Sequence, residues 1–558
     1  MQRTRVSLVV LGVLGSLGRT SLAQVGCSSS FSAEMYPVGS TPGIYLGRDM
    51  VLSHDGERAA VVQVFNPSLN TVNKVWVFDG ISAQTQSAVP IVPTPSQDVK
   101  GFGISLDMSR SNDVLAVGAD GAGTSLGRAF VFRYDGLNWS QEWQAIGIAN
   151  DLLGNAVVLS ADGETLVLGA PLRVVGSDWG SVFTYRRIAG AWTLQSTITP
   201  LNLPLSTRIG NVLALTPDGN TLAFRSFGWW YGESGAIFVF ERNGSSWTPV
   251  TRLIEPVFYS NGGFAGALDI SADGRTIVAG NYADSRLAYS QGAVTIFRKG
   301  ASGWAYDSVL LPAVATAGAG FGWRLALNDA GDRLWVGVPG QTLNGVMVGS
   351  VEEFELSGGS FVRTAVHFSP QPTQYASFGD NVCSSSTGAR WLANEPQCDI
   401  YGPNAGRVLV YDAPCLNPTS YCTAQTNSLG CAAQISAQGT PSASAPSGFV
   451  IRADNLRNQQ NGLLLYGASG RAALPWLGGT LCVQPPLRRT PLANSGGSAQ
   501  PALDCTGSLA RDFNAMAFAT LDPQLFAGQH VRAQFLSRDP GSPSNLNLSD
   551  ALEFYLEP

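Results

Sequence analysis

Five carboxylates at comparable places in the chain could supply acid–base chemistry. Asp178, Glu233, Asp284, Glu395 and Asp399 each fall between the second and third predicted strands of a repeating unit, which places them on one face of the fold. Two facing carboxylates can act on a glycosidic bond as general acid and as nucleophile or base. A carbohydrate-active enzyme, either a glycosidase or a lyase, is therefore one alternative function. Acids in exposed loops are more often simply solvated, so it is not the function we prefer.

Other residue types that carry out catalysis are sparse. The three histidines, His54, His367 and His530, are too few and too scattered for most histidine chemistry. His54 lies in a predicted hairpin turn and His367 in a predicted fourth strand, where we expect a solvated or packed ring. The serine-rich segment 384–386 lacks the Gly-x-Ser-x-Gly context of a hydrolase nucleophile. No phosphate-binding loop or cluster of metal ligands is present in the sequence. We therefore predict that the chain is not an enzyme and uses no cofactor.

Aromatic residues in the same loops are the better candidates, for binding rather than catalysis. The segment 227–233 reads FGWWYGE. Flat rings with polar edges can stack on a sugar or anchor a protein partner. The alternative is that these rings cover the central channel and belong to the core. The candidate ligand-binding residues are Trp179, Trp229, Trp230, Tyr231, Tyr282 and Tyr289.

A repeat in the sequence positions these residues. The phrase LSADGETLVLGAP at 159–171 recurs as LTPDGNTLAFRS at 215–226, and a column near its start recurs seven times at intervals of 51 to 57 residues. Alternating apolar residues on both sides of Asp-Gly are typical of a β-hairpin, because Gly adopts the positive φ that such turns need. The column contains Gly47, Gly103, Gly154, Gly210, Ala265, Gly322 and Gly379.

A second hairpin completes each repeat. A glycine, an alternating strand, a polar turn and an aromatic residue follow one another, and the glycine and the aromatic are twelve residues apart in five copies. Four antiparallel strands in each of seven units predict a seven-bladed β-propeller, in which radial closure removes exposed sheet edges. We expect the recurring aromatic side chains to pack between outer strands: Trp139, Trp192, Trp247 and Trp304.

The two ends of the repeat region are predicted to meet. The seventh copy ends at GRVLVYDAPC without a fourth strand, whereas FSAEMYP at 31–37 resembles an isolated fourth strand. The N-terminal segment is therefore expected to complete the last blade. This topology brings Cys27 near Cys415, where a disulfide would lock the ring by restricting the unfolded chain.

The repeats resemble the FG-GAP repeats of integrin α-chain propellers and their bacterial secreted relatives. The resemblance covers roughly 45–412 and rests on Phe-Gly pairs at 102–103, 321–322 and 378–379 and on Gly-Ala-Pro at 169–171. Many repeats of that family hold calcium in a loop rich in Asp. Here the turns contain a single Asp, such as Asp162 or Asp218, whereas calcium takes six to eight oxygen ligands. We predict turn-forming residues and no metal at these positions.

The N-terminus indicates export. Residues 1–23 combine basic residues, an apolar segment and a small-x-small cleavage site, the pattern of a secretory signal peptide, and no segment is long enough to span a membrane. The chain has 558 residues and a formal net charge of -6, with no basic run, which argues against a nucleic-acid partner. We expect a monomer that is secreted or held at the cell surface, without membrane insertion.

The composition changes after the repeats. A stretch rich in Pro, Ser, Thr and Cys leads into short alternating runs separated by Gly, Pro and Asn, which predicts a β-sandwich. The segment resembles a C-terminal module common on secreted bacterial proteins. The predicted domains are therefore a signal peptide at 1–23, the propeller at 24–414 and the β-sandwich module at 415–558.

Eight cysteines in an exported chain indicate disulfide bonds. Cys422 and Cys431 stand nine residues apart across a loop, and Cys482 and Cys505 flank an excursion rich in Pro and Gly, so these are the two preferred pairs. Cys383 and Cys398 remain as a third pair, the weakest, because the loop after the second strand would have to fold back.

These observations together predict a secreted or cell-surface binding or adhesion protein that recognises an extracellular protein or a glycan. The alternatives are the carbohydrate-active enzyme described above and a purely structural component of a surface layer. The sequence leaves the identity of the ligand open.

Overall fold

The computed structural model describes residues 30–35, 45–64, 73–79, 81, 87–94, 99–121, 126–176, 178–199, 208–227, 235–256, 263–400, 404–412, 418–442, 445–468, 471–476, 478–518, 525 and 530–556. The predicted signal peptide and the pair Cys27 and Cys415 lie outside these residues. The described chain is almost entirely β-structure.

The repeat region forms a β-propeller from four-stranded antiparallel sheets. Among the described residues there are seven such sheets. We number them by their innermost strands, so that sheets 1 to 6 begin with β2, β6, β10, β14, β18 and β22, and sheet 7 begins with β28. The strands of this region are β1 (Ser30–Met35), β2 (Leu46–Leu52), β3 (Arg58–Gln63), β4 (Lys74–Asp79), β5 (Ser87–Ile91), β6 (Phe102–Met108), β7 (Val114–Ala119), β8 (Leu126–Tyr134), β9 (Trp139–Ala149), β10 (Ala156–Leu159), β11 (Thr165–Val175), β12 (Asp178–Ile188), β13 (Ala191–Ile198), β14 (Leu213–Leu215), β15 (Thr221–Ser226), β16 (Ala236–Asn243), β17 (Ser246–Leu253), β18 (Phe264–Ile270), β19 (Thr276–Asn281), β20 (Ala293–Gly300), β21 (Gly303–Leu310), β22 (Leu325–Leu327), β23 (Arg333–Val338), β24 (Thr342–Leu343), β25 (Val346–Met347), β26 (Ser350–Ser357), β27 (Ser360–His367), β28 (Val382–Ser384), β29 (Arg390–Glu395) and β30 (Arg407–Asp412).

The sheets follow one another in a closed ring. Each innermost strand contacts the innermost strand of the next sheet, and β28 of sheet 7 contacts β2 of sheet 1. The N-terminal strand β1 pairs antiparallel with β30, with Glu34 opposite Leu409 and Met35 opposite Val408. Sheet 7 is therefore built from both ends of the repeat region, which confirms the predicted closure by the segment after the N-terminus.

A buried arginine joins the closing strand to its sheet. The Arg407 guanidinium donates through Nη1 to Glu34 of β1 at 2.8 Å and through Nε to Glu395 of β29 at 2.6 Å. Nη2 donates to the Ser369 hydroxyl at 3.0 Å. Arg407 and Glu395 are buried. Removing one partner of such a pair leaves an uncompensated buried charge, so Arg407 stabilises ring closure.

The Asp-Gly turns are held by hydrogen bonds between side chain and backbone. The Ser53 hydroxyl donates to Asp55 at 2.6 Å and accepts the Arg58 N–H at 2.8 Å, and Ser271 repeats the pattern with Asp273 at 2.6 Å. Each Asp also accepts a backbone N–H two residues further on, as in Glu57 and Arg275. The single Asp of each turn is thus engaged in turn geometry, as predicted.

The glycine column lies where neighbouring sheets touch. All seven members have positive φ, including Ala265 at 54°, which is the one residue with a side chain. A Cβ on Gly169 would come within 1.8 Å of the Gly210 carbonyl oxygen of the next sheet, and one on Gly280 within 2.0 Å of the Gly322 carbonyl oxygen. The two glycine-containing motifs of the repeat are therefore the two sides of one close contact between sheets.

Separate apolar clusters hold each sheet to its neighbour. The cluster between sheets 3 and 4 contains Val167 and Ile198 on one side and Phe224, Phe240 and Trp247 on the other. The remaining aromatic residues of the recurring column pack in the equivalent clusters, which confirms their structural role: Trp139, Trp192, Trp304 and Phe361.

The C-terminal region folds around a core of its own. Strands β33 and β39 in a three-stranded sheet and strands β34, β40 and β41 in a six-stranded sheet share one apolar cluster that includes Phe449, Phe535 and Phe554. The elements of this region are β31 (Thr419–Tyr421), β32 (Gln434–Gly439), β33 (Phe449–Leu456), β34 (Asn461–Gly467), β35 (Arg471–Trp476), β36 (Gly479–Val483), β37 (Arg488–Arg489), β38 (Ala493–Asn494), β39 (Gly507–Asp512), α1 (Phe513–Phe518), β40 (His530–Arg538) and β41 (Leu546–Tyr555).

The disulfide connectivity differs from the prediction. The bonds are Cys422–Cys482 and Cys431–Cys505, so the preferred pairs Cys422–Cys431 and Cys482–Cys505 were wrong. The reason is the sheet topology, which brings β36 beside the segment after β31, where the Tyr421 hydroxyl donates to the Cys482 carbonyl oxygen at 2.7 Å. Distance along the chain did not reveal this proximity.

The third predicted pair is also wrong, since Cys383 and Cys398 are both free thiols. Cys383 lies opposite Leu392 in the pairing of β28 with β29, well before Cys398, and its side chain packs into the cluster between sheets 7 and 1. Its thiol therefore points toward sheet 1 rather than toward the loop that carries Cys398.

The described residues contain no helix long and apolar enough to cross a membrane.

Candidate functional site

The propeller has two unlike faces. Turns between first and second strands, and between third and fourth strands, lie on one face, which we call the turn face, because successive strands are antiparallel. Segments between second and third strands, together with the connections between sheets, lie on the other, which we call the loop face. Variable loops on a rigid scaffold are where binding residues are commonly placed.

Exposed large apolar side chains are concentrated on the loop face. The turn-face ends of the hairpins contribute Leu137 and Ile188 among the described residues. Scattered exposed apolar residues are normal on a protein surface, but a one-sided concentration marks an interaction surface. The loop-face set comprises Val174, Trp179, Leu287, Tyr289, Val314, Val346, Met347, Tyr375 and Ile400.

Aromatic rings and guanidinium groups alternate across part of this face. The Arg208 guanidinium lies 5.4 Å from the centroid of the Trp179 ring and 5.9 Å from that of Phe227. The Arg225 guanidinium lies 4.7 Å from the centroid of the same Phe227 ring. Distances in this range allow attraction between the cation and the ring. We call the series Trp179, Arg208, Phe227, Arg225 the aromatic–arginine ladder.

The ladder continues toward sheets 5 and 6. Burial lowers the pKa of Arg225 to about 10, and Tyr282 of sheet 5 lies near enough to oppose that shift. Tyr282 in turn packs edge-on against Trp323 of sheet 6, with ring centroids 4.8 Å apart. Ring contacts thus connect the loops of sheets 3 and 4 and those of sheets 5 and 6, and Arg225 and Tyr282 are the neighbouring residues between the two pairs.

A pocket of about 500 Å³ lies beyond Trp323. Its walls include the rings of Trp323 and Tyr45 and the charged side chains of Arg48, Arg324 and Asp380. Burial raises the pKa of Asp380, although the guanidinium groups of Arg324 and Arg48 oppose this shift. The pocket therefore combines aromatic surface with two cations and one carboxyl group.

Two of these residues adopt a left-handed backbone conformation that disfavours large side chains. Each residue of the glycine column follows an apolar residue. The residue before that apolar residue has positive φ in six sheets, and it is Gly in sheets 2 and 6. A residue other than Gly has to overcome an unfavourable contact of its Cβ there. The six residues are Tyr45 (φ 34°), Gly101, Leu152, Arg208 (φ 50°), Gly320 and Ser377.

The central channel is lined by carboxylates that form hydrogen bonds between the innermost strands of different sheets. It contains cavities of about 400 and 310 Å³ toward the turn face and the loop face. Asp107 of β6 accepts the Leu159 N–H of sheet 3 at 2.6 Å, and Asp269 of β18 accepts the Leu327 N–H of sheet 6 at 2.8 Å. Asp49 of β2 accepts the Leu106 N–H of sheet 2 at 2.7 Å.

The electrostatics of these three carboxylates follow from their surroundings. Burial raises the pKa of Asp49 to about 6 and those of Asp107 and Asp269 to about 7. Arg324 opposes the shift at Asp49, whereas neighbouring acids add to it at Asp107.

No cluster of three or more potential metal ligands occurs within the described ranges.

Serine, histidine and aspartate meet at the turn-face end of the channel, a grouping that the sequence did not suggest. Ser386 Oγ lies 3.2 Å from His54 Nε2, and His54 Nδ1 lies 3.9 Å from Asp329. Arg110 reaches across to pair with Asp329, and Ser386 Oγ also donates to the His54 carbonyl oxygen at 3.0 Å. Burial lowers the pKa of His54 to about 4, and Arg110 adds to this shift.

This arrangement suits a structural role better than proton relay. A general base works best with a pKa near the operating pH, and a relay needs the aspartate within hydrogen-bond distance of the imidazole. Asp329 instead forms an ion pair with Arg110. This pair and the contacts of Ser386 with His54 join the turns of sheets 1, 2, 6 and 7. We interpret the cluster as a set of polar contacts that closes the turn-face end of the central channel.

The three loop carboxylates whose side chains are described, Asp284, Glu395 and Asp399, do not form a pair of available acids. Asp284 binds Arg286 Nη2 at 2.6 Å and Gln291 Nε2 at 3.1 Å, and Glu395 binds Arg407 as described above. Asp399 accepts the Asn404 N–H at 2.7 Å. The Asp178 side chain and Glu233 lie outside the described part of the chain. His367, also considered for chemistry, is buried in contact with Glu353 at 2.9 Å.

The predicted binding residues are placed as follows. Trp179 is 44% exposed and Tyr289 is 78% exposed, while Tyr282 is half-buried against Trp323. Trp229, Trp230 and Tyr231 lie outside the described residues. The structure brings Trp179 and Tyr282 into one connected series and leaves Tyr289 as a separate exposed ring.

Sequence reasoning missed Arg208, Tyr45 and Trp323. One signal was available for the first two. They stand immediately before the apolar–glycine pair of the repeat, where Gly101 and Gly320 occupy the same position in other copies. A large side chain at a position that favours Gly is a reason to suspect a role for that side chain.

Comparisons with known proteins give distant structural likenesses. No protein-family model matches the sequence, and neither does any curated protein. The chain is similar to a chain in a crystal structure of the mitotic checkpoint complex (TM-score 0.43, 12% identity, 72% of this chain and 99% of that one). It is also similar to the WD40 repeats of RRP9, with a TM-score of 0.43 and 10% identity over 69% of this chain and 100% of that one. A third likeness is to TolB from Acinetobacter baumannii, with a TM-score of 0.35 and 15% identity over 58% of this chain and 66% of that one. At these values the assignment as a propeller rests on the sheet topology.

Proposed function

We propose that this chain is a secreted or cell-surface binding protein that recognises its partner through the loop face of a seven-bladed, FG-GAP-like propeller. A C-terminal β-sandwich module accompanies the propeller. The partner is an extracellular protein or a glycan, and the chain performs no catalysis on it.

The observation that carries the proposal is the aromatic–arginine ladder. Rings and guanidinium groups are the residue types most enriched where binding energy is concentrated, because they combine large contact area with directional polar groups. Here they are connected across several loops, beside the exposed Trp179. The turn face has a shorter series, in which the Arg58 guanidinium lies 4.3 Å from the Tyr134 ring and 5.5 Å from the Trp139 ring. That guanidinium is already paired with Asp79, and Trp139 packs in the cluster between sheets 1 and 2.

Export is supported by the cysteines and the N-terminal pattern. Two disulfide bonds are compatible with an oxidising, extracellular location. The proposal that the chain performs no catalysis is supported by the use of Asp284 and Glu395 in ion pairs.

A matched pair of variants tests the binding face. Trp179→Ala combined with Tyr289→Ala should lower attachment of fluorescently labelled protein to intact producing cells and their extracellular matrix about tenfold or more, as expected when contact residues are lost. Leu137→Ala, which removes an exposed apolar side chain from the turn face, should leave attachment unchanged. Equal attachment of the double variant and the parent would exclude the loop face as the binding surface.

A further inference from the structure

The loop face carries guanidinium groups that are not neutralised by ion pairs. Arg48 and Arg208 are exposed, and within the described ranges neither forms an ion pair. The carboxyl group near Arg48 is that of Asp380, in the same pocket, whereas Asp151 and Asp284 elsewhere on this face are bound to Arg173 and Arg286. Arg208 belongs to the ladder and Arg48 to the pocket, so they are separate cations on the face of a chain whose net charge is -6.

The aromatic rings beside these cations present flat apolar surface. Trp179 is partly open to solvent, and the Arg208 guanidinium lies between it and Phe227. A sugar ring can stack on such a face through its apolar side. A carboxylate or sulfate on the same or the next sugar can then accept paired hydrogen bonds from a planar guanidinium.

The pocket at the far end repeats the same combination. Tyr45 and Trp323 supply rings, and Arg48 and Arg324 supply cations, around a cavity of about 500 Å³. Tyr282 lies between them, near Arg225 of the ladder and packed against Trp323 of the pocket. Repetition of one chemistry along a surface favours an extended ligand with a repeating chemistry.

Backbone conformation gives a separate argument that Arg208 and Tyr45 are kept for their side chains. Both have positive φ at a position that is Gly101 and Gly320 in two other sheets and Leu152 and Ser377 in two more. Glycine would satisfy the backbone there without the steric cost that a Cβ brings. Unfavourable conformations of this kind are found where a side chain is needed at one place.

We propose that the loop face binds an acidic glycan, a chain of sugars that carry carboxylate or sulfate groups, along the aromatic–arginine ladder and into the pocket of Tyr45 and Trp323. This inference rests on the proposed function, since it names the ligand of the same face. Stacking supplies contact area, and Arg208, Arg48 and Arg324 select the negative charge.

Two other polyanions are less well matched. Single-stranded nucleic acid is bound by aromatic platforms next to a continuous basic groove that follows the phosphates, whereas the cations here are few and separated. An acidic peptide would satisfy the guanidinium groups but has no flat apolar ring face to place on Trp179. Both polymers serve as competitors in the test.

The experiment measures binding of the full chain to immobilised polygalacturonate, with pullulan as a neutral glycan, poly-L-glutamate and oligo-dT in parallel. Polygalacturonate should bind, and binding should weaken as salt is raised, because exposed charges are screened. Arg208→Gly should lower affinity about tenfold or more, the effect of losing a charge-assisted hydrogen bond. Its thermal stability should remain, since Gly suits the left-handed conformation.

Matched variants separate this site from general charge effects. Trp179→Ala should weaken binding to polygalacturonate, whereas Arg275→Gln, which removes an exposed cation from the turn face, should not. Equal binding of pullulan, stronger binding of poly-L-glutamate or oligo-dT, or an unchanged affinity of Arg208→Gly would each overturn the inference. If polygalacturonate fails to bind while the variant with Trp179→Ala and Tyr289→Ala still loses attachment to cells, the inference is wrong and the proposed function stands.

Discussion

At the scale of single residues, the closest contacts between sheets, such as that of Gly169 with Gly210, depend on glycine on both sides. Gly169→Ala should destabilise the propeller by about 2 kcal/mol or more, because the new methyl group would lie 1.8 Å from a backbone oxygen of the next sheet that cannot move independently. Gly300→Ala is the matched control, since nothing lies within 4 Å of its added Cβ. Urea unfolding of both variants checks the prediction, and similar losses for the two would contradict it.

Some of the residue-level structure was readable from the sequence and some was not. The glycine column could be predicted because its spacing recurs in every copy and positive φ has a known preference for Gly. The disulfides could not, since Cys482 reaches Cys422 only through the sheet order of the C-terminal region. The cluster of Ser386, His54 and Asp329 is formed by turns more than 50 residues apart in sequence, so no local motif indicates it.

At the scale of elements, the strand β1 that closes the ring depends on one buried cation. Arg407→Ala should cost about 3 to 5 kcal/mol of unfolding free energy, since it leaves Glu395 buried without its counter-charge. The double variant Arg407→Met with Glu395→Gln should recover a large part of this loss, because the charge and the cavity are both removed. Urea unfolding measures the two variants. A loss below about 1 kcal/mol for Arg407→Ala would show that β1 is held by its backbone pairing instead.

Elements were more predictable than sites because their signals are repeated. Alternating apolar residues around Asp-Gly indicate both strands of a hairpin in each copy, and the unpaired sequence near the N-terminus indicated the partner of β30. Loop conformations have no such periodic signal. The contact of Arg208 with Trp179 and Phe227 depends on how three loops approach one another, which single-sequence patterns do not encode.

At the scale of the whole molecule, closing a ring of sheets forces carboxylates into a shared channel. Asp49, Asp107 and Asp269 each accept a backbone N–H from the neighbouring sheet, so they stabilise the assembly through hydrogen bonds. Burial at the same time disfavours their charged form. Arg324 faces Asp49 in this channel, while His54, Arg110 and Asp329 surround its turn-face end.

The stability of the propeller should therefore increase as the pH falls from about 8 to about 5. The ordinary pKa of an aspartate is 3.8, whereas Asp107 and Asp269 have pKa values of about 7 in the folded chain. Between these values the folded state holds protons that the unfolded state has released, so lowering the pH favours folding. His54, with a pKa lowered from 6.5 to about 4, acts in the opposite direction below pH 6.5, but it is one group against three raised carboxyl groups. Urea unfolding of the propeller at pH 8 and pH 5 measures the difference. Asp107→Asn, which cannot ionise, should reduce that difference relative to the parent. Equal or greater stability at pH 8 would show that the three carboxylates remain ionised in the channel without cost.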